Sequence, residues 1–307
     1  MKYIDVREAS QRWGISDRRI RILCNEGRID GAIKLGWSWT IPDDTPKPRD
    51  GRVLRHFRNL DIRPGFVDVE RLSSLSDEFP IELQPGKGYL KTLIKSSLLY
   101  FLSYYGKSVT EDDVETIISG SIVSSISLEM HLFVLSFFSS MKSLFDRKED
   151  WNDKEIREEY RIFMRTIDDD EKGYRVGFSK NAVRGKDKVR VDVQMETLLT
   201  QYEAWKNLHP FLRGVMFYGE LERIEPFKCY SSVISYFLLS GELIRGGILP
   251  PVLSPDDRED LRLSSFIAFS RGNYRDLTSF MEKKVYQSYQ MAKEENEKGG
   301  DADAQGR

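Results

Sequence analysis

His209-Pro-Phe-Leu-Arg-Gly-Val-Met-Phe-Tyr-Gly-Glu-Leu-Glu-Arg-Ile-Glu-Pro-Phe227 is the run on which the fold of most of this chain turns. Apolar residues recur in it with a helical period from His209 to Ile224, and a second helical stretch, Ser231–Leu243, follows after a short break. Outward from this pair, the same period marks Tyr89–Tyr105, Thr110–Ser119, Ser127–Leu144, Asp153–Asp168 and Met195–Leu208 upstream. Downstream it marks Asp256–Ser270 and Tyr274–Ala292. One stretch differs. Tyr174, Val176 and Phe178 alternate, as do Val189, Val191 and Val193 after Gly185-Lys-Asp, so a β-hairpin is expected over Gly173–Val193.

The chain has 307 residues, enough for more than one domain. With 40% hydrophobic and 31% charged residues it has the composition of an ordinary globular protein. No apolar run is long enough to span a bilayer, the longest candidate being Leu132 to Phe138. The N-terminus is polar and charged from its second residue, without the pattern of a secretory signal, so a cytoplasmic protein is expected. Cys24 and Cys229 are far apart, which argues against a disulfide framework or a cysteine metal site. His56, His131 and His209 lack the mutual spacing of metal ligands, and the serines at 119, 121, 124 and 125 have no histidine partner in view. No cofactor and no metal are expected.

The net charge of −2 hides an asymmetry. Residues 1–55 carry a net charge of +4 and the remainder −6, as fits a head that meets phosphates on a body that does not. Pro42-Asp-Asp-Thr-Pro-Lys-Pro48 closes the head with a linker signal. The stretch 49–88 is irregular and charged and is expected to connect. After Glu294 the tail is charged and glycine-rich, and 294–307 is expected to lack structure.

In the head, Asp5-Val-Arg-Glu8 is a capping pattern that starts a helix, and Trp13-Gly14 ends it. Ser16 caps a second helix that runs to about Asn25, with Gly27 beyond it. Ile20, Leu23 and Cys24 form its apolar stripe; Arg18, Ile22 and Asn25 lie opposite, with Arg19 and Arg21 at the flanks. Arginine offers a fork for guanine edges or phosphate oxygens, asparagine can pair with adenine, and a helix start at Ser16 can face a phosphate. Ala32-Ile-Lys-Leu-Gly-Trp-Ser-Trp-Thr-Ile41 reads as two short strands around Gly36, a wing with Lys34 or Trp37 available to touch the backbone or the minor groove. The stretch Tyr3-Ile-Asp-Val-Arg-Glu-Ala…Trp13-Gly-Ile-Ser-Asp-Arg-Arg…Leu23-Cys…Gly27-Arg-Ile-Asp-Gly-Ala…Trp39-Thr-Ile-Pro resembles the MerR/excisionase-like helix-turn-helix family over nearly the whole head. The resemblance implies a winged fold whose second helix enters the major groove of double-stranded DNA, with Ser16, Arg18, Arg19, Arg21, Asn25, Lys34 and Trp37 as contacts.

The body resembles another family. The run His209–Phe227 is similar to the approach to the active-site motif of Fic proteins, and the hairpin at Gly173–Val193 sits where that family carries its substrate-positioning flap. Thr110-Glu-Asp-Asp-Val, Ile126-Ser-Leu-Glu-Met-His-Leu-Phe-Val-Leu, Arg245-Gly-Gly-Ile-Leu-Pro-Pro and Arg271-Gly-Asn-Tyr-Arg-Asp-Leu extend the likeness from about Tyr89 to Ala292. The resemblance implies an all-helical domain with one hairpin and, in active members, transfer of AMP from ATP to a protein hydroxyl. Their motif reads H-x-F-x-[D/E]-G-N-G-R-x-x-R. The histidine is the general base, the acid holds Mg²⁺, the glycine turn cradles phosphates, and the arginines neutralise charge.

Aligned without gaps, this chain reads Glu225-Pro-Phe-Lys-Cys-Tyr-Ser-Ser-Val-Ile-Ser-Tyr236. Glu225 stands for the base and Cys229 for the metal acid. Tyr230 and Ser232 replace glycines, Ser231 the asparagine, and Val233 and Tyr236 both arginines. Only Phe227, a packing residue, is kept. The inhibitory helix of many family members aligns with Lys95–Leu102, where Ser96 and Ser97 are present but the glutamate falls near Tyr100 or Phe101. The fold expected is mainly α: a winged helix-turn-helix head (1–48), a connecting segment (49–88), an all-helical Fic-like body with one β-hairpin flap (89–293), and the tail. The function expected is that of a DNA-binding bacterial transcriptional regulator with a catalytically degenerate body, which serves as a sensing, dimerisation or partner-binding scaffold. Two alternatives stay open: a residual protein adenylyltransferase or nucleotide-binding protein, and a protein-interaction module.

Overall fold

Asp5 starts the first helix of the head. In the computed structural model, which describes residues 2–48, 60–79, 88–168, 173–178 and 189–305, it ends strand β1 (Tyr3–Asp5) and caps α1 (Val6–Trp13). Its carboxylate accepts from Glu8 N at 2.8 Å, and Glu8 accepts from Asp5 N at 3.1 Å. Gly14, at φ +62°, closes the helix in the left-handed region open to glycine. The Ser10 hydroxyl donates to the Ile15 carbonyl at 2.7 Å and fixes the turn. Ser16 then caps α2 (Asp17–Asn25), accepting from Arg19 N at 3.3 Å.

Strands β2 (Ile33–Leu35) and β3 (Ser38–Pro42) form the expected hairpin, with Gly36 at φ +60° at the first position of its two-residue turn. β1 adds a third strand that the sequence did not announce, pairing Ile4 with Ile41 in a sheet of order β1-β3-β2. Three residues are too short for an alternation to show. The small core joins Ile4 and Ile41 to Ala9, Trp13, Ile20 and Leu23.

The chain divides into two compact units, 1–54 and 55–307. The second is helical: α3 (Val69–Glu78), α4 (Gly88–Tyr104), α5 (Glu111–Ile118), α6 (Leu128–Ser143), α7 (Asp153–Met164), α8 (Val191–Ala204), α9 (Pro210–Ile224), α10 (Ser231–Arg245), α11 (Arg258–Arg271) and α12 (Arg275–Gln305). Helices α9 and α10 make its most extensive pairing. Every residue of α10 from Val233 to Ile244 is buried, the pattern of a helix surrounded by others. Their close approach has a steric basis: a Cβ on Gly214 of α9 would lie 2.8 Å from Leu243 and 3.0 Å from Leu239 of α10, and on the other side of α10 the Trp151 indole N–H donates to the Leu238 carbonyl at 2.9 Å. Glu242, fully buried, is paired with Arg213 and Arg245 and accepts from the Tyr202 hydroxyl, so the buried charge has the partners it needs.

The sequence placed many helix starts correctly. Thr110 caps α5 in a capping box with Asp113, Ser127 caps α6, and His209 caps α9, its Nδ1 accepting from Phe211 N at 3.3 Å. His131 is structural as well: Nε2 accepts from Val123 N and Nδ1 lies 3.0 Å from the Ser127 carbonyl. His56 lies outside the described residues.

Three stretches differ from expectation. The described part of the connecting segment belongs to the body's packing. Asp61 N donates to the Gly272 carbonyl at 2.7 Å, α3 buries Leu72 completely, and Ser76 donates to the Gly247 carbonyl. One buried leucine among charged residues was too faint a period to read. The hairpin's second arm is shorter than expected, because α8 begins at Val191 and places Val191 and Val193 on a helix. Two valines spaced by two fit a strand or a helix end equally, and here the Gln194 side chain donates to the Val189 carbonyl at 3.0 Å and Asp192 accepts from Val193 N at 2.9 Å in the first turn, which favours the helix. Among the described residues the hairpin is represented by the antiparallel bridge Phe178–Arg190; residues 179–188 lie outside the described residues. Finally, α12 continues through 294–305, where Glu294, Glu295, Glu297 and Lys298 are good helix formers.

Candidate functional site between the central helices

The loop from Glu225 to Tyr230 joins α9 to α10 and holds the only two non-glycine residues with positive φ among the described residues, Glu225 (+47°) and Tyr230 (+54°). Each such residue costs on the order of 1 kcal/mol or more, so the surroundings must hold the loop in place. One clamp is Arg175. Its Nε donates to the Glu225 carbonyl at 2.6 Å, Nη2 to the Ile224 carbonyl at 3.2 Å and Nη1 to the Phe178 carbonyl at 2.9 Å. Arg175 N also donates to the Pro226 carbonyl at 2.8 Å. A guanidinium at the end of α9 satisfies carbonyls that the helix leaves open and favours the negative end of its dipole.

Aromatic packing is the second clamp. Phe227, buried, stacks on Tyr160 with ring centroids 4.0 Å apart and meets Tyr174 at 5.4 Å. The Tyr230 ring lies against Tyr105, Phe133 and Phe163, and its hydroxyl donates to Glu129 at 3.3 Å. Ser231 Oγ accepts from Phe227 N at 3.5 Å, and Ser232 donates to Glu222 at 2.9 Å. The Glu222 carboxyl is buried below the start of α10. Burial pushes its pKa up to about 7, against the lowering effect of the Ser235 and Ser232 hydroxyls, and the charge of Glu225 adds to the rise.

Of the residues singled out in this loop, Glu225, Cys229 and Ser231 are half-buried, whereas Val233 and Tyr236 are buried in the core. Tyr236 reaches Ser97 on α4 at 2.8 Å, so the segment Lys95–Leu102 does lie against the helix after the loop. Among the described residues no group of histidine, cysteine, aspartate or glutamate side chains could hold a metal ion. Arg175, Glu222 and Glu129 were missed by the sequence, since each joins the loop from a distant stretch or from beneath it.

In the head, Arg18, Arg21 and Asn25 are exposed and Arg19 is half-buried, while Ile20, Leu23 and Cys24 are buried behind them. Arg21 has a weak partner in Asp17 at 4.0 Å. Ser16 spends its hydroxyl on the cap of α2. Lys34 and Trp37 are exposed on the hairpin, with Trp37 at the turn fully in solvent.

No protein-family model matches the chain, and no curated protein matches it. Solved structures do. Fic-1 (residues 134–508) from C. elegans superposes with a TM-score of 0.60 at 18% identity, covering 72% of this chain and 68% of that one. A Fic family protein from Desulfovibrio desulfuricans G20 gives a TM-score of 0.59 at 17% identity over 78% of this chain and 77% of its own. A Fic domain containing signaling protein from Bacteroides thetaiotaomicron gives 0.59 at 16% identity, covering 73% of this chain and 94% of that one. The body has a Fic-like fold. Identities this low carry the fold alone. The Fic-like body is mainly helical, and no described helix is long and apolar enough to cross a membrane.

Proposed function

We propose that the protein is a DNA-binding transcriptional regulator of the bacterial cytoplasm, in which a winged helix-turn-helix head reads double-stranded DNA. The Fic-like body, on this reading, is catalytically degenerate and serves as a scaffold. The observation that carries the DNA reading is the two-faced helix α2, with Arg18, Arg21 and Asn25 in solvent and an apolar stripe behind them. Arginine and asparagine on one exposed helix face suit base edges and phosphates together. Lys34 on the hairpin adds a cation for the backbone.

The scaffold reading is supported by the residues that would have to hold a magnesium nucleotide. At the positions aligned with the family's arginines, Val233 and Tyr236 point into the core. Tyr230 fills a glycine position with a ring packed among aromatics. Arg175, the nearest clamp, directs its donors at backbone carbonyls. These residues do not fit a magnesium nucleotide.

A shift assay with duplex DNA across a salt series tests the head: binding that weakens with salt is expected. Arg18→Ala with Arg21→Ala should reduce it without unfolding the chain, and unchanged binding would sink the assigned face. Labelled ATP with Mg²⁺ and candidate proteins tests the body. Transfer of label that is lost in Glu225→Ala would overturn the scaffold reading.

A further inference from the structure

Gln287 and Gln290 lie on one face of α12, and their side chains line an open cleft of about 300 Å³ in the body. Neither amide hydrogen-bonds to another described residue. Lys284, one turn earlier, and Val252 line the cleft as buried residues, and the lysine ammonium pairs with Asp257 just before α11. Ser96 on α4 and Ser254 line it as well. Their hydroxyls donate to the Leu253 carbonyl and to Asp257, each at 2.9 Å, so each offers a ligand only its oxygen lone pairs. A polar helix face that merely meets water needs no walls, whereas this one is flanked by two other stretches of chain, at a volume within the range of small-molecule sites.

We propose that this cleft binds a small uncharged polyol, either a monosaccharide or its open-chain relative. Lys284 is already neutralised by Asp257, and the further charge on the lining is that of Glu294, so an anion meets net negative charge. Among the described residues no aromatic ring lines the cleft. A nucleobase therefore has nothing to stack on, and an organic ammonium ion would face Lys284 without a π surface in return. The donors of Lys284 and of the two amides lie beside the acceptors of the amides and the serines. A hydroxyl group, which donates and accepts at once, answers both kinds. Val252 and Met291 offer apolar contact to the C–H face of a sugar. The cleft shares no lining residue with the loop between α9 and α10 or with the head, so the inference goes beyond the regulator reading and does not rest on it.

Saturation-transfer difference NMR on the full chain tests the site, with ribose, glucose and mannitol as probes at millimolar concentration. Adenine, acetate and choline serve as the planar, anionic and cationic counter-probes. Transfer to at least one polyol and to none of the counter-probes is expected. Gln287→Ala should weaken polyol binding about tenfold, as the loss of an amide's hydrogen bonds would. Gln290→Trp, made at an exposed position, should fill the cleft and abolish binding. Lys283→Ala, exposed on the same helix but outside the cleft, should leave it unchanged. Circular dichroism and the melting midpoint should show that all three variants are folded. No transfer to any of the polyols, transfer to a counter-probe in their place, or polyol binding that survives Gln290→Trp overturns the assignment. A chain that binds a polyol but shifts no DNA leaves the cleft standing and sinks the regulator reading; a chain that shifts DNA but binds no polyol does the reverse.

Discussion

The Tyr236 hydroxyl lies 2.8 Å from Ser97 Oγ and 3.0 Å from the Pro251 carbonyl, and through this point α10 is tied to α4 inside the core. Leu253 N also donates to Ser97, so the site is a small buried network. Tyr236→Phe keeps the ring and removes one hydroxyl; a loss of about 1 kcal/mol is expected in urea unfolding. Tyr236→Arg, which would write the family's arginine back into the sequence, should cost roughly 3–5 kcal/mol, because it buries a charge without a partner. It should not create nucleotide binding, and a titration with labelled ATP checks that.

Arg175 ties the stem of the expected flap to the end of α9 through the Ile224 and Glu225 carbonyls, and its third bond holds the Phe178 carbonyl of the stem itself. Truncation leaves those carbonyls to water and removes a cation from a helix end. Arg175→Ala should therefore lower stability by about 1–3 kcal/mol, the range of charged hydrogen bonds. Arg175→Lys, which keeps the charge but not the fork, should recover less than half of the loss. Thermal unfolding of the three chains measures both, and equal stability of Ala and wild type would show that the clamp is idle.

Glu222 makes the stability of the body depend on pH. Its folded pKa is raised by burial to about 7, above the ordinary glutamate value of 4.5. A raised acid binds its proton more tightly when folded, so its contribution is fully present below pH 4.5. It declines as pH rises towards 7 and is lost above it. At about 1.4 kcal/mol per pKa unit the change amounts to a few kcal/mol. Glu159, also buried and also raised to about 7, acts in the same direction. Glu222→Gln, neutral at every pH, should flatten the part of the curve between pH 5 and 8 that belongs to Glu222. A wild-type curve that rises across that window, or one unchanged in Glu222→Gln, contradicts the assignment.

What was legible in the sequence is what depends on short range or on strong periods. Asp5, Thr110, Ser127 and His209 each announce a helix start, and each is found capping one. The burial of α10 was legible in Val233, Ile234 and Tyr236–Leu239, whereas the burial of Ser235, Ser240 and Glu242 among them was not. Elements of three residues, such as β1, carry no period at all. Val191 and Val193 show the opposite failure, a period of two that a helix start imitates. The candidate site was legible along the loop but not around it. Arg175 and Glu129 come from stretches 50 and 101 residues away, and only the fold brings them to the loop. Ser232 and Glu222, by contrast, are ten residues apart across a tight turn, yet nothing in either residue type marks the bond.

Arg18 and Lys34 should fail differently if the head reads DNA. Arg18 lies on the exposed face of α2, where a guanidinium can address a base edge with two parallel hydrogen bonds. Lys34 lies on β2 of the hairpin with its Nζ 6.0 Å from the Trp39 ring, a point charge better suited to a phosphate. Arg18→Ala should therefore cost about 1–3 kcal/mol on a preferred sequence and narrow the gap between preferred and random duplexes. Lys34→Ala should weaken binding to both duplexes alike and reduce the slope of log affinity against log salt by roughly one. Parallel shift assays on the two duplexes over a salt series separate the outcomes. Equal losses on both sequences for Arg18→Ala would place that arginine on the backbone, and the base-reading role would have to move to Asn25 or Arg21.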